Sequence, residues 1–216
     1  MNPSFVKRTQ FASGFVFGLW VFIALPIHAD TLSDNLSNPT DFTDIASGDT
    51  WLAAGFGTGN SSYLLNTVTL LMSGSSTGTA ELDLYSSSQS QPGMQLGTLT
   101  SPASYPVDLG ATSFAGQNLL LSPNTSYWLV LKGISGEFEW AFTNSNDGAG
   151  IGFQHLWGTT GDAGASWFTS DIQPFQFRVT ADPTAAPVPE PGPMGIMIVG
   201  LLLTVTNCIS NRIKHL

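Results

Sequence analysis

Residues 137–143 read Glu-Phe-Glu-Trp-Ala-Phe-Thr, and aromatic side chains alternate along them with polar or small ones. Phe138, Trp140 and Phe142 therefore lie on one side of an extended chain and Glu139 on the other. A period of two residues is typical of an antiparallel strand that has one face in a core and one face in water. This pattern favours a β-sheet protein over a helical one.

The same period recurs in three other segments, residues 67–72, 79–85 and 173–180. Residues 127–131, Tyr-Trp-Leu-Val-Leu, are apolar on both faces and predict a central strand that is covered on both sides. Turn-forming residues separate these strands, and no segment between them has the periodicity of a three-turn helix. We therefore predict an all-β fold, a two-sheet antiparallel β-sandwich of jelly-roll type. The core side chains expected from the alternation are Val68, Leu70, Met72, Ala80, Leu82, Leu84, Phe175, Phe177 and Val179.

The charges of the 216-residue chain divide it into a body and two ends. Between residues 30 and 187 only Lys132 and Arg178 stand against 14 Asp and Glu, so the body has a formal charge of −12. Such a field repels nucleic acid and anionic lipid head groups, which excludes both as partners of the body. The sole cysteine, Cys208, lies outside the body, which therefore has no disulfide.

The N-terminus has the three parts of a secretory signal peptide. Lys7 and Arg8 supply the positive charge, and residues 11–25 form an uncharged apolar run. Ala29 is a small residue before Asp30, at which a signal peptidase would cut. We expect everything up to Ala29 to be a signal peptide, with a retained anchor helix as the alternative.

The C-terminus combines a rigid segment, an apolar run and a basic end. Residues 187–193, Pro-Val-Pro-Glu-Pro-Gly-Pro, cannot propagate a helix. Residues 194–210 are uncharged and would span about 25 Å as a helix at ~1.5 Å per residue, near the lower limit for crossing a bilayer. Arg212 and Lys214 follow, and the positive-inside rule keeps them in the cytoplasm, which puts the body on the opposite side.

The end of the chain resembles the PEP-CTERM sorting signal of Gram-negative bacteria that make extracellular polysaccharide. Val188, Pro189, Glu190 and Pro191 carry the resemblance, together with the apolar run and the basic cluster that follow in the same order. The resemblance implies that an exosortase in the inner membrane recognises this motif and processes the tail. A permanent single-span anchor is the alternative.

The body has a second resemblance, to the choice-of-anchor R domain, an extracellular module that precedes several different sorting tails. Residues 51–56, 82–86 and 121–131 follow the order of that domain's motifs. These motifs are mostly core strands and turns. The resemblance therefore implies a fold and no particular biochemical activity.

The predicted organisation has six segments. They are a signal peptide (1–29), a polar lead-in (30–47), the β-sandwich domain (48–182), a Pro-rich linker with the Pro-Glu-Pro motif (183–193), a transmembrane helix (194–210) and a basic cytoplasmic tail (211–216). In this arrangement the sandwich is the part that stands outside the cytoplasm.

The body offers few groups for catalysis. Its one histidine is His155, it has no cysteine, and no serine sits in a Gly-x-Ser-x-Gly turn that leads into a helix. Glu137 and Glu139 lie two apart on one predicted strand, so both face the same side, where they either keep the sheet soluble or form a glycosidase pair. We expect no enzyme activity, and the alternative is a secreted carbohydrate-active enzyme that works through carboxylates.

Two loops are rich in the oxygen ligands that calcium prefers. Asn144, Asn146 and Asp147 lie in the first and Asp162 in the second. Neither loop has the spacing of an EF-hand, and Asx turns explain Asn and Asp in loops without any metal. We expect no cofactor, with calcium at these loops as the alternative.

Residues 151–169 concentrate aromatic side chains in a Gly-rich region between two stronger strands. His155, Trp157, Trp167 and Phe168 are the candidate ligand-binding residues of this region. Aromatic rings on the loops or faces of a sandwich commonly stack on sugar rings, but they also fill the core. Both interpretations stay open at this point.

Together these features predict a protein that reaches the cell surface or extracellular matrix of a Gram-negative bacterium through an inner-membrane intermediate. Its sandwich would serve noncatalytic adhesion or association with extracellular polysaccharide. The expected partners are the secretion translocon, signal peptidase, an exosortase and the polysaccharide, and nucleic acid is not among them. Besides the enzyme, a permanently anchored module that faces the periplasm is the alternative.

Overall fold

The computed structural model describes residues 28–117 and 119–184, and these residues form thirteen β-strands. No helix long and apolar enough to cross a membrane lies within them. The strands are β1 (Asp30–Asp34), β2 (Phe42–Ala46), β3 (Trp51–Gly57), β4 (Tyr63–Gly74), β5 (Thr79–Ser88), β6 (Gln91–Thr98), β7 (Gly110–Ala115), β8 (Leu120–Leu121), β9 (Ser126–Ser135), β10 (Phe138–Phe142), β11 (Phe153–Thr160), β12 (Phe168–Ser170) and β13 (Phe177–Pro183).

The strands form two antiparallel sheets. The first sheet has the order β1-β13-β4-β10-β2, and β7 and β8 also pair with β4. The second sheet has the order β12-β11-β3-β9-β5-β6. For the described residues, the prediction of an all-β fold with two antiparallel sheets is therefore confirmed.

The core lies between the two sheets and consists of the side chains that the period of two places inward. Every core position expected from the alternation is at most 2% exposed, as are Phe138 and Trp140. The indole of Trp140 stacks on Phe175 with ring centroids 4.7 Å apart. Because each sheet buries a full apolar face, the sandwich needs no disulfide within this part of the chain.

Strand β4 organises the first sheet because two partners share one of its edges. β13 pairs with β4 as far as Phe177 opposite Leu70, and β10 takes over with Trp140 opposite Met72. The Trp140 indole N–H donates to the carbonyl of Gln176 at 3.0 Å and so ties the two strands at their junction. The segment just before β13 is thereby held against β10, at the side of the sandwich.

The polar lead-in predicted for residues 30–47 contributes two strands to the first sheet. β1 pairs with β13, and β2 pairs with β10. Leu32 and Ala46 are fully buried and place these strands on the core. The composition concealed them because an edge strand contributes few inward apolar side chains, so its polar residues dominate the sequence.

Several predictions fall on residues outside the described ones. They are residues 1–27 of the signal peptide, the sorting motif Val188–Pro191, the apolar run 194–210 and the basic residues Arg212 and Lys214. The expected cleavage point is described on both sides. Ala29 is exposed, and Asp30 begins β1 opposite Ala181 of β13.

Candidate functional site

A band of five aromatic rings crosses the open side of the sandwich from one sheet to the other. Its centroid separations are 6.1 Å for Phe42 and Phe142, 6.3 Å for Phe142 and Phe175, 5.7 Å for Phe175 and Trp157, and 5.8 Å for Trp157 and Phe168. The two ends of the band face solvent, with Phe42 66% and Phe168 63% exposed. We call this set the aromatic band.

A cleft of about 120 Å³ opens at the middle of the aromatic band. It is lined by Asp44 of β2, Phe142 of β10, Trp157 of β11, and Gln173 and Phe175 of the segment before β13. Both sheets thus contribute walls. The cleft combines apolar rings with a few polar groups, which is the composition of most small-ligand sites.

Strand pairing explains why a carboxylate lies among these rings. In the register of β2 and β10, Phe42 is opposite Phe142 and Asp44 is opposite Trp140. Residues opposite each other share a face, so Asp44 points toward the core side of the first sheet. Because β2 is an edge strand, the side chain stays partly exposed at the mouth of the cleft.

The Asp44 carboxylate is unusual in its surroundings. No hydrogen bond or ion pair to it occurs in residues 28–117 and 119–184, and burial raises its pKa above the ordinary 3.8. A half-buried carboxylate without a donor costs free energy that a ligand bearing donors can recover. An inward-pointing charge on an edge strand also discourages pairing with another sheet, which is its structural explanation.

Trp157 and Gln173 are held in place by hydrogen bonds at the sides of the cleft. The Trp157 indole N–H donates to the carbonyl of Ile172 at 2.5 Å. The Gln173 side-chain amide donates to the Asn144 side-chain oxygen at 2.6 Å. The ring of Trp157 is therefore fixed by a contact at its edge.

The structure divides the four candidate ligand-binding residues between different places. Trp157 and Phe168 belong to the aromatic band. Trp167 packs on the opposite, outer face of the second sheet, against the buried cluster of Ala53, Trp128 and Val130. His155 contacts Phe153 with ring centroids 5.2 Å apart and does not line the cleft.

The outer face of the second sheet carries its own aromatic cluster around one buried ion pair. Lys132 contacts Asp83, which is fully buried, and lies 3.4 Å from Glu81. The Lys132 ammonium also lies 4.5 Å from the centroid of a Trp51 ring, a cation–π distance. We call this region the outer cluster; its members are Trp51, Ala53, Asp83, Tyr85, Trp128, Val130, Lys132, Leu156 and Trp167.

The ammonium of Lys132 stays charged in the outer cluster. Burial lowers the pKa of Lys132, but the hydrogen bond and negative charge of Asp83, with a smaller contribution from Tyr85, outweigh burial and raise it above 10.5. The prediction that residues 127–131 form a strand covered on both faces is confirmed here, since Trp128 and Val130 are buried on the outer face.

A short loop after β11 closes over the outer cluster. Asp162 accepts hydrogen bonds from the Ser166 hydroxyl at 2.6 Å and from the Thr160 hydroxyl at 2.5 Å, and these bonds lower its pKa to about 2. Gly164 has a φ of +86°, and a Cβ there would meet the Trp51 ring at 2.8 Å. Only glycine combines that backbone conformation with such a close approach.

The calcium candidates lie in two separate loops and take part in local hydrogen bonds. Asn144 bonds to Asp41 and Gln173, and Asp147 to Ser145. The Asp162 bonds are those described above, while Asn146 is exposed. In the part of the chain that the structure describes, no group of three or more His, Cys, Asp or Glu is arranged to hold a metal. Calcium binding at these loops stays the alternative to the prediction of no cofactor.

Glu137 and Glu139 lie together in a shallow depression on the outer face of the first sheet. Glu139 accepts hydrogen bonds from the hydroxyls of Thr43 and Ser73, both at 3.2 Å. The two carboxylates therefore share a face, and neighbouring hydroxyls hold Glu139 in the sheet. This depression is separate from the aromatic cleft, whose lining includes neither glutamate.

The sequence interpretation did not identify Phe42, Asp44, Phe142, Gln173 and Phe175 as site residues. A signal for two of them exists in β2, whose residues read Phe-Thr-Asp-Ile-Ala. A period of two places Phe42, Asp44 and Ala46 on one face, so a carboxylate falls at an inward position. For the others no local signal exists, because they meet only when the segment before β13 pairs with β10, which lies about 30 residues earlier in the chain.

Comparison with known proteins leaves the site to be interpreted from its own geometry. No protein-family model matches this chain, and no curated protein matches its sequence.

Proposed function

We propose that this is an exported, exosortase-sorted surface or matrix protein of a Gram-negative bacterium. Its sandwich, of the jelly-roll type that the sequence predicts, binds extracellular polysaccharide through the aromatic band without catalysis. The sorting part rests on the two ends of the chain and on their resemblance to the PEP-CTERM signal. The binding part rests on the geometry of the cleft.

The aromatic band is the observation that carries the binding proposal. Five rings run without a break between two solvent-exposed ends, and one carboxylate and one amide lie beside them. Aromatic faces offer large apolar area at low cost in side-chain entropy, and polar groups beside them fix the orientation of a ligand. A sugar has both an apolar ring face and hydroxyl groups at its rim, so it suits this combination.

The composition of the cleft favours binding over glycoside hydrolysis. Hydrolysis by the common mechanism needs two carboxylates that flank the scissile bond, about 5–9.5 Å apart. Asp44 is the single carboxylate among the described residues that line the cleft. A ligand can be held there, and the second acid or base group would have to come from elsewhere.

Retention on polysaccharide tests the binding proposal. We expect Phe42→Ala and Phe168→Ala together to weaken retention of the full chain on the host's extracellular polysaccharide by about tenfold, equivalent to ~1.4 kcal/mol. Met94→Ala is the matched control, since Met94 is an exposed apolar residue outside the band, 70% accessible. Unchanged retention in the double variant, with near-ultraviolet circular dichroism equal to the wild type, would contradict the proposal.

The mature C-terminus tests the sorting proposal. We expect mass spectrometry of the protein from its host to find a chain that ends near residues 189–192, recovered from the surface or the medium. An intact chain ending at Leu216 in the inner membrane would support the permanently anchored, periplasm-facing alternative. The polysaccharide of the matrix would then lose its place as the expected ligand.

The depression that contains Glu137 and Glu139 is the candidate site for the enzyme alternative. Glu137 and Glu139 share one concave surface, with Ser73 and Ser75 also among its lining residues. Turnover of a glycan by the purified protein, abolished by Glu139→Gln and retained by Asp44→Asn, would establish this alternative. Absence of turnover on glycans that the protein binds would favour the noncatalytic proposal.

A further inference from the structure

We infer that the polysaccharide bound by the aromatic cleft carries amino sugars whose protonated amine pairs with Asp44. This inference rests on the proposed function and deepens it, because it names the chemical class of the ligand. It excludes polymers rich in uronic acids or phosphate. It also gives the carboxylate in the cleft a specific role.

The charges of the described domain argue against an anionic ligand. Its two Lys and Arg residues are both committed to carboxylates, Lys132 to Asp83 and Arg178 to Asp34, the latter at 2.8 Å. The body has a formal charge of −12, which repels a polyanion at a distance and attracts a cationic ligand. Neither histidine of the described residues, His28 or His155, lines the cleft.

The local chemistry of the cleft argues for a cation over a neutral sugar. A hydroxyl would donate a hydrogen bond to the Asp44 carboxylate but leave its negative charge uncompensated. An ammonium would donate a hydrogen bond, neutralise that charge in the partly buried cleft, and also interact favourably with the aromatic rings of Trp157, Phe142 and Phe175. At about 30 Å³ per water molecule, the cleft volume of about 120 Å³ has room for a substituent such as an amine, while the sugar rings lie along the exposed band.

The outer cluster already contains an ammonium held by a carboxylate and aromatic rings. There the ammonium of Lys132 sits between the carboxylate of Asp83 and the rings of Trp51 and Tyr85, at 4.5 and 5.6 Å from their centroids. In the aromatic cleft the carboxylate and the rings are present, and no side chain of the described residues supplies the ammonium. A ligand amine would complete an arrangement that the protein already builds once internally.

Titration calorimetry of the full chain with three soluble probes tests the inference. The probes are oligomers of glucosamine, of N-acetylglucosamine and of a uronic acid, in about 0.15 M salt, where the screening length is about 8 Å. We expect the glucosamine oligomer to bind at least tenfold more tightly than the acetylated one, and the uronic acid oligomer not to bind. Asp44→Asn should abolish this preference, so that the glucosamine and N-acetylglucosamine oligomers bind the variant with similar affinity.

Asp108→Asn is the control for general charge attraction, since Asp108 is exposed, lies outside the cleft and loses the same unit charge. An equal loss in both variants would overturn the inference, because attraction to the acidic body would then explain the preference. Binding of the acetylated oligomer with no preference for the amine would overturn the inference and leave polysaccharide binding intact. Failure of every oligomer, with no retention on the host polymer, would overturn the proposed function itself.

A fourth probe, oligolysine, separates the sugar from its charge. Its ammonium groups are similar, but it has no apolar ring face to stack on Trp157 or Phe168. Tighter binding of oligolysine than of the glucosamine oligomer, lost in Asp44→Asn, would assign the cleft to a basic peptide and overturn the inference. Weaker binding of oligolysine is the expected result.

Discussion

The outer cluster, on the outer face of the second sheet, and the aromatic cleft, between the two sheets, are built from the same kinds of side chain. Each places a carboxylate, Asp83 or Asp44, among aromatic rings. In the outer cluster Lys132 neutralises the carboxylate, and a loop closes over the rings. In the cleft the carboxylate has no partner among the described residues, and the ends of the aromatic band stay exposed.

The difference teaches how one fold separates a structural cluster from a candidate binding site. A buried ion pair is hard to break, because removal of one partner strands the other in a medium of low dielectric constant. An unpaired carboxylate at the mouth of a cleft costs less, since water still reaches it, and it leaves hydrogen-bonding capacity for a ligand. Stability should therefore depend on the outer cluster, and binding on the cleft.

The largest expected effect comes from breaking the ion pair of the outer cluster. Lys132→Met leaves Asp83 buried and unpaired, so we expect the free energy of unfolding to fall by about 3–5 kcal/mol in urea denaturation. Arg178→Met breaks an ion pair in which the Arg178 side chain is 46% exposed, and should cost at most about 1 kcal/mol. Equal losses in the two variants would contradict this comparison.

The same pair gives a pH dependence of stability. Because the folded state raises the pKa of Lys132 above 10.5, the contribution of the pair is complete below pH 10.5 and is lost as the pH rises through the folded value. The urea midpoint of the wild type should fall across this alkaline window. The part of that fall caused by deprotonation of Lys132 should be absent in Lys132→Met. Parallel curves for the two proteins would show that the titration of Lys132 does not contribute to the pH dependence of stability.

A smaller effect is expected from the loop that covers the outer cluster. Gly164→Ala introduces a side chain at a φ of +86° and within 2.8 Å of the Trp51 ring, so stability should fall by about 1–3 kcal/mol. Gly161→Ala, three residues earlier in the same loop, meets nothing within 4 Å and should change stability by at most about 1 kcal/mol. A Gly164→Ala protein as stable as Gly161→Ala would mean that the loop does not need this conformation.

Trp167 and Phe168 are neighbours in the sequence, but their substitution should change different properties of the protein. Trp167→Ala removes packing from the outer cluster and should lower stability by about 1–2 kcal/mol without a change in glycan affinity. Phe168→Ala removes a 63% exposed ring of the aromatic band and should lower glycan affinity with a stability change within about 0.5 kcal/mol. Thermal unfolding measures the stability of both variants, and calorimetry measures their glycan affinity. The same change in both variants would contradict the division between the outer cluster and the aromatic band.

The smallest stability effect is expected at Asp44. Burial raises its folded pKa above 3.8, so wild-type stability declines as the pH rises from 3.8 through the folded value. Asp44→Asn removes that cost and should leave the protein up to about 0.5 kcal/mol more stable at neutral pH. The difference between the two proteins should vanish below pH 3.8, which urea denaturation in acidic buffers can measure. Self-association of the variant would instead show that Asp44 protects the edge of β2.

Much of the fold was predictable from local pattern, whereas the site was predictable only in part. The alternation in residues 137–143 and the apolar run 127–131 correctly predicted which faces are buried. Asp83 and Gln176 alternate outward and are nevertheless buried, because neighbouring strands and loops cover them. Local periodicity assigns the face of a strand and carries no information about what covers that face.

By itself, the sequence determined the fold class, the acidic body and the core faces of its main strands. These follow from side-chain periodicity and charge, which are properties of neighbouring residues along the chain. Only the tertiary structure decided that Trp157 and Phe168 share a band while Trp167 joins the outer cluster, and that Lys132 meets Asp83. Those contacts depend on strand register and on the packing of two sheets, which join residues far apart in the chain.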